Sequence, residues 1–273
     1  MRYVIQGRLY ASYSGGHIAL HKLCHMLNEK GCEAFLSEPV PTNPEWNTPI
    51  LDTLNRDTDI VIYPEDPKDL GNPLNAKNVV RWILYFLEED VTYQPSDMIF
   101  YYLEDFFRYN KKGSSLIRIP SRDNESCDNL LYCIESQKDI FTNLNFKRYP
   151  EAVIMYKANL KGGKCKPEHR GLPNMPPFQS QEYYLQFFNH FETIYCYDNA
   201  TYYSVIAAMC GCKVVMIDEP STDGLICEHN PLLKDFDEIT QNPDAIFQRL
   251  ETAEQHMSDT LDSFIKLTQE RFS

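Results

Sequence analysis

The sequence predicts an α/β fold in two halves, each a parallel sheet with helical crossovers. Three observations predict it. Residues 3–36 read as strand, glycine-bearing turn, helix and strand. The run Asp59-Ile60-Val61-Ile62-Tyr63 is apolar almost throughout, as a strand covered on both faces should be. After a polar, irregular stretch at 121–150, strand and helix begin to alternate again at Ala152.

Tyr3-Val4-Ile5-Gln6 is the first strand. The loop Ser12-Tyr13-Ser14-Gly15-Gly16 leads into a helix from His17 to Lys30, with Leu20, Leu23, Cys24 and Leu27 spaced as its buried face. Gly31 is the glycine expected after a helix end. Ala34-Phe35-Leu36 closes this βαβ unit. A proline-rich loop, Pro39 to Pro49, and a short helix near Ile50–Asn55 precede the strand at 59–63. Strands at Val79–Phe86, Met98–Tyr102 and Leu116–Ile119 complete a small open sheet of six, and Leu130–Ile134 is a further strand near the boundary. In the second half, the strand Ala152–Lys157 runs into the basic, glycine-rich loop Lys161-Gly162-Gly163-Lys164 and a proline-rich loop at 167–177. Helix Gln181–Asn189 leads to strand Thr193–Tyr197, and helix Thr201–Met209 to strand Lys213–Ile217. Two helices, Pro243–His256 and Ser258–Phe272, end the chain. Such alternation implies right-handed crossovers and parallel strands.

The 273 residues suffice for one large domain or two small ones, and 43% of them are apolar, as in a packed globular protein. A formal charge of −13 excludes general nucleic-acid binding, which needs a basic surface, but leaves room for a local basic pocket. Cys210-Gly211-Cys212 is the one close pair among nine cysteines, so a zinc site is not expected. Asp57-Thr58-Asp59 precedes its strand and lies at the wrong edge for a catalytic metal. The cysteines read as reduced, mostly buried thiols of a reducing compartment. The N-terminus is too short and polar for a signal peptide, and no apolar run approaches the ~20 residues of a membrane span. A cytoplasmic protein without a transmembrane segment is expected.

Four groups of residues are able to carry chemistry. Tyr197-Asp198-Asn199-Ala200-Thr201 joins an apolar strand to a helix rich in small residues. The first N–H groups of a helix lack internal partners and the helix dipole favours an anion there, so a diphosphate at this turn and a simple side-chain cap are both open readings. Lys157, Lys161, Gly162, Gly163, Lys164, Lys166 and Arg170 gather positive charge and flexible backbone in an acidic chain. Ser14-Gly15-Gly16-His17 follows the first strand, at the sheet edge where open α/β folds bind ligands. His17 there is either a general base or a locally bonded helix-end residue. Glu65 and Asp66, after the strand at 59–63, are able to orient or deprotonate a hydroxyl, or are exposed turn carboxylates. The paired aromatics, such as Tyr183-Tyr184 and Phe187-Phe188, read as core and helix faces.

The segment Tyr197-Asp198-Asn199-Ala200-Thr201 with Ala207-Ala208-Met209-Cys210-Gly211-Cys212 resembles the donor-binding segment of GT-B glycosyltransferases. Tyr63-Pro64-Glu65, Gly71-Asn72-Pro73-Leu74 and Asn78-Val79-Val80-Arg81-Trp82-Ile83-Leu84 resemble a pattern of bacterial and viral members of that group. Those members continue with Asn and a Pro-Gly turn, where this chain has Tyr85-Phe86-Leu87-Glu88. The resemblance implies two Rossmann-like domains facing a cleft, an acceptor-side domain over 1–125, a nucleotide-sugar domain over 126–250, and a final helix, 251–273, returning to the first. It implies transfer of a sugar from a nucleotide-diphosphate sugar to a glycan or other hydroxyl acceptor, without metal or further cofactor. Gly15, Gly16, Lys157, Lys161, Gly162, Gly163, Lys164, Tyr197, Asp198, Asn199, Ala200 and Thr201 would face the donor, and His17, Glu65 and Asp66 are the catalytic candidates. An epimerase or hydrolase of the same fold and a non-catalytic nucleotide- or glycan-binding module are the alternatives.

Overall fold

The computed structural model describes residues 1–113, 115–160, 162–198, 201–217, 230, 232 and 243–273. The chain is α/β, with parallel sheets, and divides into two compact units. Unit 1 holds Met1–Gly113, Ile117–Glu135 and Gln255–Ser273; unit 2 holds Ser114–Leu116 and Ser136–Glu254.

Unit 1 is built on strands β1 (Arg2–Ile5), β2 (Glu33–Leu36), β3 (Ile60–Pro64), β4 (Asn78–Ile83) and β5 (Met98–Tyr101), with helix α1 (Gly15–Glu29) between the first two. The sheet order is β2-β1-β3-β4-β5, and every pairing is parallel. Alternate residues serve opposite faces. Tyr3, Ile5, Ile60, Ile62, Val80, Trp82 and Phe100 share one core cluster with α1, while Val4, Val61, Tyr63 and Val79 share another. Burial on both faces explains why these strands read as unbroken apolar runs.

The sequence placed a sixth strand in this sheet at Leu116–Ile119. Instead β6 (Tyr109–Lys112) and β7 (Ser115–Arg118) form a separate two-stranded sheet, preceded by the short helix α2 (Glu104–Arg108). The helix expected near Ile50–Asn55 does not form. The backbone of Leu36 takes the Pro49 carbonyl and the Leu51 N–H, each at 2.9 Å, and holds the segment extended beside β2. Leu130–Ile134 is extended but contributes only a bridge to Tyr101. It belongs to unit 1 because the Trp82 indole donates to the Leu131 carbonyl at 2.9 Å and the Tyr132 N–H to Thr260 Oγ1 at 3.1 Å.

In unit 2, β8 (Tyr149–Ile154), β9 (Phe191–Cys196) and β10 (Lys213–Met216) pair in parallel in the order β10-β9-β8. On the free side of β8, Asn174 forms a parallel bridge to Val153, with the Val153 N–H on the Pro173 carbonyl and the Met175 N–H on the Val153 carbonyl, both at 2.9 Å. Counting that segment, the chain runs second-first-third-fourth across the sheet, as it does in unit 1. Helices α3 (Tyr156–Leu160), α4 (Gln181–Asn189) and α5 (Tyr202–Met209) lie between the strands in sequence.

The two expected terminal helices are one, α6 (Pro243–Phe272), because neither Gly nor Pro interrupts its 30 residues. Its last part completes unit 1. Leu261 and Phe264 sit in the α1-side core, Phe264 lies edge-on to Phe100 at 4.8 Å, and Thr268 Oγ1 meets Tyr3 Oη at 2.9 Å. Among the described residues, no helix is long and apolar enough to cross a membrane.

Candidate functional site

Connections leave β1 and β3, which are neighbours, toward opposite sides of the sheet, so their carboxyl ends flank the switch point at which open α/β sheets bind ligands. The loop after β1 is held by its own polar groups. Gln6 Nε2 donates to Glu38 at 3.0 Å, the Gly7 N–H to Ser37 Oγ at 2.9 Å, and Arg8 pairs with Asp69 and, at 3.6 Å, with Asp66. Helix α1 then begins with Gly15 and Gly16; Ser14 makes no side-chain cap and the first turn carries no acid. A Cβ on Gly16 would stand 3.8 Å from the Leu84 side chain, so this helix start lies close to the end of β4.

His17 and His21 occupy successive turns of α1. The Nδ1 of each is buried with no hydrogen-bond partner among the described residues. His21 is fully buried and its Nε2 meets the Arg8 carbonyl at 2.6 Å. Burial lowers its basicity, the carbonyl bond opposes this, and His17 lowers it further. Glu65 follows β3. Its carboxylate accepts the Leu84 N–H at 2.8 Å, and burial raises its pKa above the ordinary value against the opposing effect of that bond. Asp66 is committed differently, accepting the Lys68 N–H at 2.9 Å and facing Arg8. Gly15, Gly16, His17, Glu65 and Asp66 thus lie at one sheet edge, with Asp66 and Arg8 already paired.

The rest of the 63–84 pattern builds structure. Tyr63 Oη donates to Asn72 Oδ1 at 2.9 Å and accepts the Leu74 N–H at 3.0 Å. Arg81, 1% exposed, reaches Asp97 at 2.8 Å and the Asp69 and Leu70 carbonyls at 2.5 and 3.2 Å. Its guanidinium carbon stands over the Tyr63 ring at 5.0 Å and over the Tyr93 ring at 4.9 Å. Each of its three nitrogens is thus bonded within the fold, so this cation is committed to structure and is not held open for a ligand. Asn72 and Asn75 supply the left-handed turns, at φ 53° and 50°.

In unit 2 the equivalent switch point lies between β8 and β9. Asp198, 2% exposed, lies two residues beyond β9 and does not cap the helix that follows it. Its carboxylate turns to α3, accepting the N–H groups of Tyr156 and Lys157 at 3.0 Å and of Ala158 at 2.9 Å. Those are the donors a helix start otherwise offers an anion, so Asp198 occupies that position itself. This carboxylate also corrects the expected strand Ala152–Lys157: Tyr156 and Lys157 turn helical on it. Thr201 caps α5, its side chain accepting the Tyr203 N–H at 3.4 Å.

Tyr197, expected to face the donor, is fully buried. Its hydroxyl accepts the Lys166 N–H at 2.9 Å and meets His169 Nδ1 at 2.8 Å, pinning the basic loop to the sheet. His169 in turn stacks on Tyr195 with ring centres 3.8 Å apart. Gly162 and Gly163 terminate α3, with N–H bonds to the Asn159 and Ala158 carbonyls and a φ of 79° at Gly162. Lys164 and Arg170 are exposed. Lys161, Asn199 and Ala200 lie outside the described residues. Of the expected donor residues, Lys157, Asp198 and Thr201 come to this switch point, while Gly15 and Gly16 belong to unit 1.

Arg8, Tyr93 and His169 carry no motif in the sequence, and their side chains meet Asp69, Arg81 and Tyr197, which are distant in the chain. Cys210 and Cys212, the one close pair among cysteines read as mostly buried thiols, are both free and buried, and burial pushes each thiol up to about 12. Compared with models of known protein families and with curated protein sequences, the chain matches none.

Proposed function

We propose that the chain is a metal-independent glycosyltransferase of the GT-B type, moving a sugar from a nucleotide-diphosphate sugar to a glycan or other hydroxyl acceptor. The observation that carries the reading is the repeated strand order. Each unit runs second-first-third-fourth, and candidate residues gather at the switch point of each. The resemblance implies two Rossmann-like halves with a last helix returning to the first, and the shared strand order supports that reading.

On this reading unit 2 holds the donor. The departing diphosphate gains negative charge as the glycosidic bond breaks, and Lys157, with Lys161 and Lys164, stabilises it without a metal. Asp198 serves by fixing the first turn of α3, and so the backbone that carries Lys157. Unit 1 holds the acceptor. Of the three catalytic candidates, Asp66 is engaged by Arg8 and Lys68, and Glu65 by the Leu84 N–H. His17 retains an unmet ring nitrogen among the described residues, and is the base that would take the acceptor proton where the anomeric centre inverts.

A melting-temperature screen of nucleoside diphosphates and nucleotide sugars tests this, because a ligand bound only by the folded state raises the transition. At least one is expected to do so, and Lys157→Ala to weaken it about tenfold, the loss of one charge-assisted contact. His17→Ala is expected to leave binding intact and abolish transfer. A screen in which no nucleoside diphosphate raises the transition removes the reading. Turnover of donor at equal rate without acceptor would instead mark a hydrolase or epimerase.

A further inference from the structure

Phe178 is the one bulky residue with a left-handed backbone among those described. The other non-glycine positions of positive φ are Asn72, Asn75, Gln137 and Asn145. A phenylalanine at φ 59° is sterically disfavoured and persists only where its surroundings over-determine it. They do so here. The Tyr184 hydroxyl accepts the Gln179 N–H at 3.0 Å and donates to the Pro176 carbonyl at 3.2 Å, while Gln179 Nε2 donates to the Pro177 carbonyl at 3.0 Å. The loop is clamped on both sides of Phe178, and Tyr184 itself is buried against Tyr203.

The clamped ring does not enter the core. Phe178 is 58% exposed, and lies edge-to-face with Tyr156, ring centres 5.3 Å apart and planes at 78°. Tyr156 opens α3, its N–H on the Asp198 carboxylate, and Lys157 is the next residue. The strained segment follows Met175, whose N–H bonds the Val153 carbonyl of β8. An outward-facing, pre-ordered aromatic ring therefore adjoins the carboxyl edge of the unit 2 sheet, within one residue of the lysine assigned to the diphosphate.

We infer that Phe178, backed by Tyr156, is a stacking platform for the nucleobase of the nucleotide, a site that rests on the donor reading of unit 2. A planar base offers a π-face to an aromatic ring whatever its hydrogen-bonding edge, and a ring fixed beforehand loses little entropy on binding. The backbone strain is the cost of holding the ring outward.

Isothermal titration calorimetry of the full chain, with the nucleoside diphosphate that binds best and with inorganic pyrophosphate, tests the inference. Phe178→Gly relieves the left-handed strain and removes the ring. It is expected to melt no lower than the parent, to lose roughly tenfold in nucleoside diphosphate affinity, at the low end of stacking effects, and to bind pyrophosphate unchanged. Phe178→Trp is expected to retain or improve nucleotide binding. Unchanged nucleotide affinity in Phe178→Gly overturns the platform and leaves the donor reading standing. An equal fall in pyrophosphate affinity overturns it too, since the loop would then act on the phosphates. Absence of any nucleoside diphosphate binding to the parent removes both.

Discussion

Glu65 and Asp198 stand at the same topological place in the two units, each just beyond the third strand in spatial sequence and each close behind a buried tyrosine. Tyr63 ties down the loop at 72–74 through its hydroxyl, and Tyr197 ties down the loop at 166–169. The carboxylates then diverge. Asp198 accepts three backbone N–H groups from the start of α3, whereas Glu65 accepts the Leu84 N–H from the end of β4. One acid has become part of the scaffold; the other keeps acceptor capacity at a sheet edge. Likeness of position does not confer likeness of role, and the count of donors spent on each carboxylate separates them.

The largest effect expected from that difference is on stability. Asp198→Ala strands three N–H groups, and is expected to cost about 3 kcal/mol in urea unfolding, with Asp198→Asn costing less. Glu65→Gln keeps an acceptor for Leu84 and is expected to cost under about 1 kcal/mol. Equal losses would erase the contrast between scaffold and site. The two tyrosines provide a sharper version. Tyr63→Phe and Tyr197→Phe are each expected to cost about 1–2 kcal/mol, since each leaves a loop N–H without its acceptor. Only Tyr197→Phe is expected also to weaken nucleoside diphosphate binding, by loosening the loop that carries Lys164 and Lys166.

The smallest effect is on pH dependence, and the two kinds of buried group pull in opposite directions. Burial holds His21 below its ordinary value of 6.5. The unfolded chain therefore binds more protons there than the folded one, and the stability linked to His21 is present above 6.5 and lost as pH falls. Glu65 is raised above 4.5, so the folded state binds the extra proton and this group favours folding as the solution becomes more acid through that range. Melting temperature is expected to decline from about pH 7 to about pH 5, and His21→Gln to flatten that decline. A decline that His21→Gln leaves unchanged would move its origin to His25 and His256, which burial also lowers.

What was legible in the sequence was what short-range pattern encodes. The strands of both parallel sheets and α1 follow from apolar runs and helical spacing, and Gly31, at φ 80°, ends α1 as read. What was not legible depended on groups far along the chain. Tyr156 and Lys157 continue an apolar strand in sequence, yet turn helical because a carboxylate some 40 residues on receives their N–H groups. Ile50–Asn55 reads as a short helix, but Leu36 at the edge of β2 bonds the Pro49 carbonyl and the Leu51 N–H and keeps the segment extended. At the candidate sites, glycines and charges lie at the carboxyl edges of the two sheets, where their spacing in the sequence put them. Their partners decided what each was free to do: Arg8 took Asp66, α3 took Asp198, and the basic loop took Tyr197.

Helix α6 imposes an order on the making of the molecule. Leu261, Phe264 and Thr268 complete a core that starts at Tyr3, so unit 1 cannot close until the whole of unit 2 has been synthesised. At translation rates of about 5–20 residues per second, the interval is on the order of ten seconds. Through that time the β1–β5 sheet waits on the ribosome with one apolar face short of its last helix. Loss of the final turns would leave that face uncovered for good, and aggregation of the nascent chain, more than any change in a finished site, is the failure to which this architecture is most open.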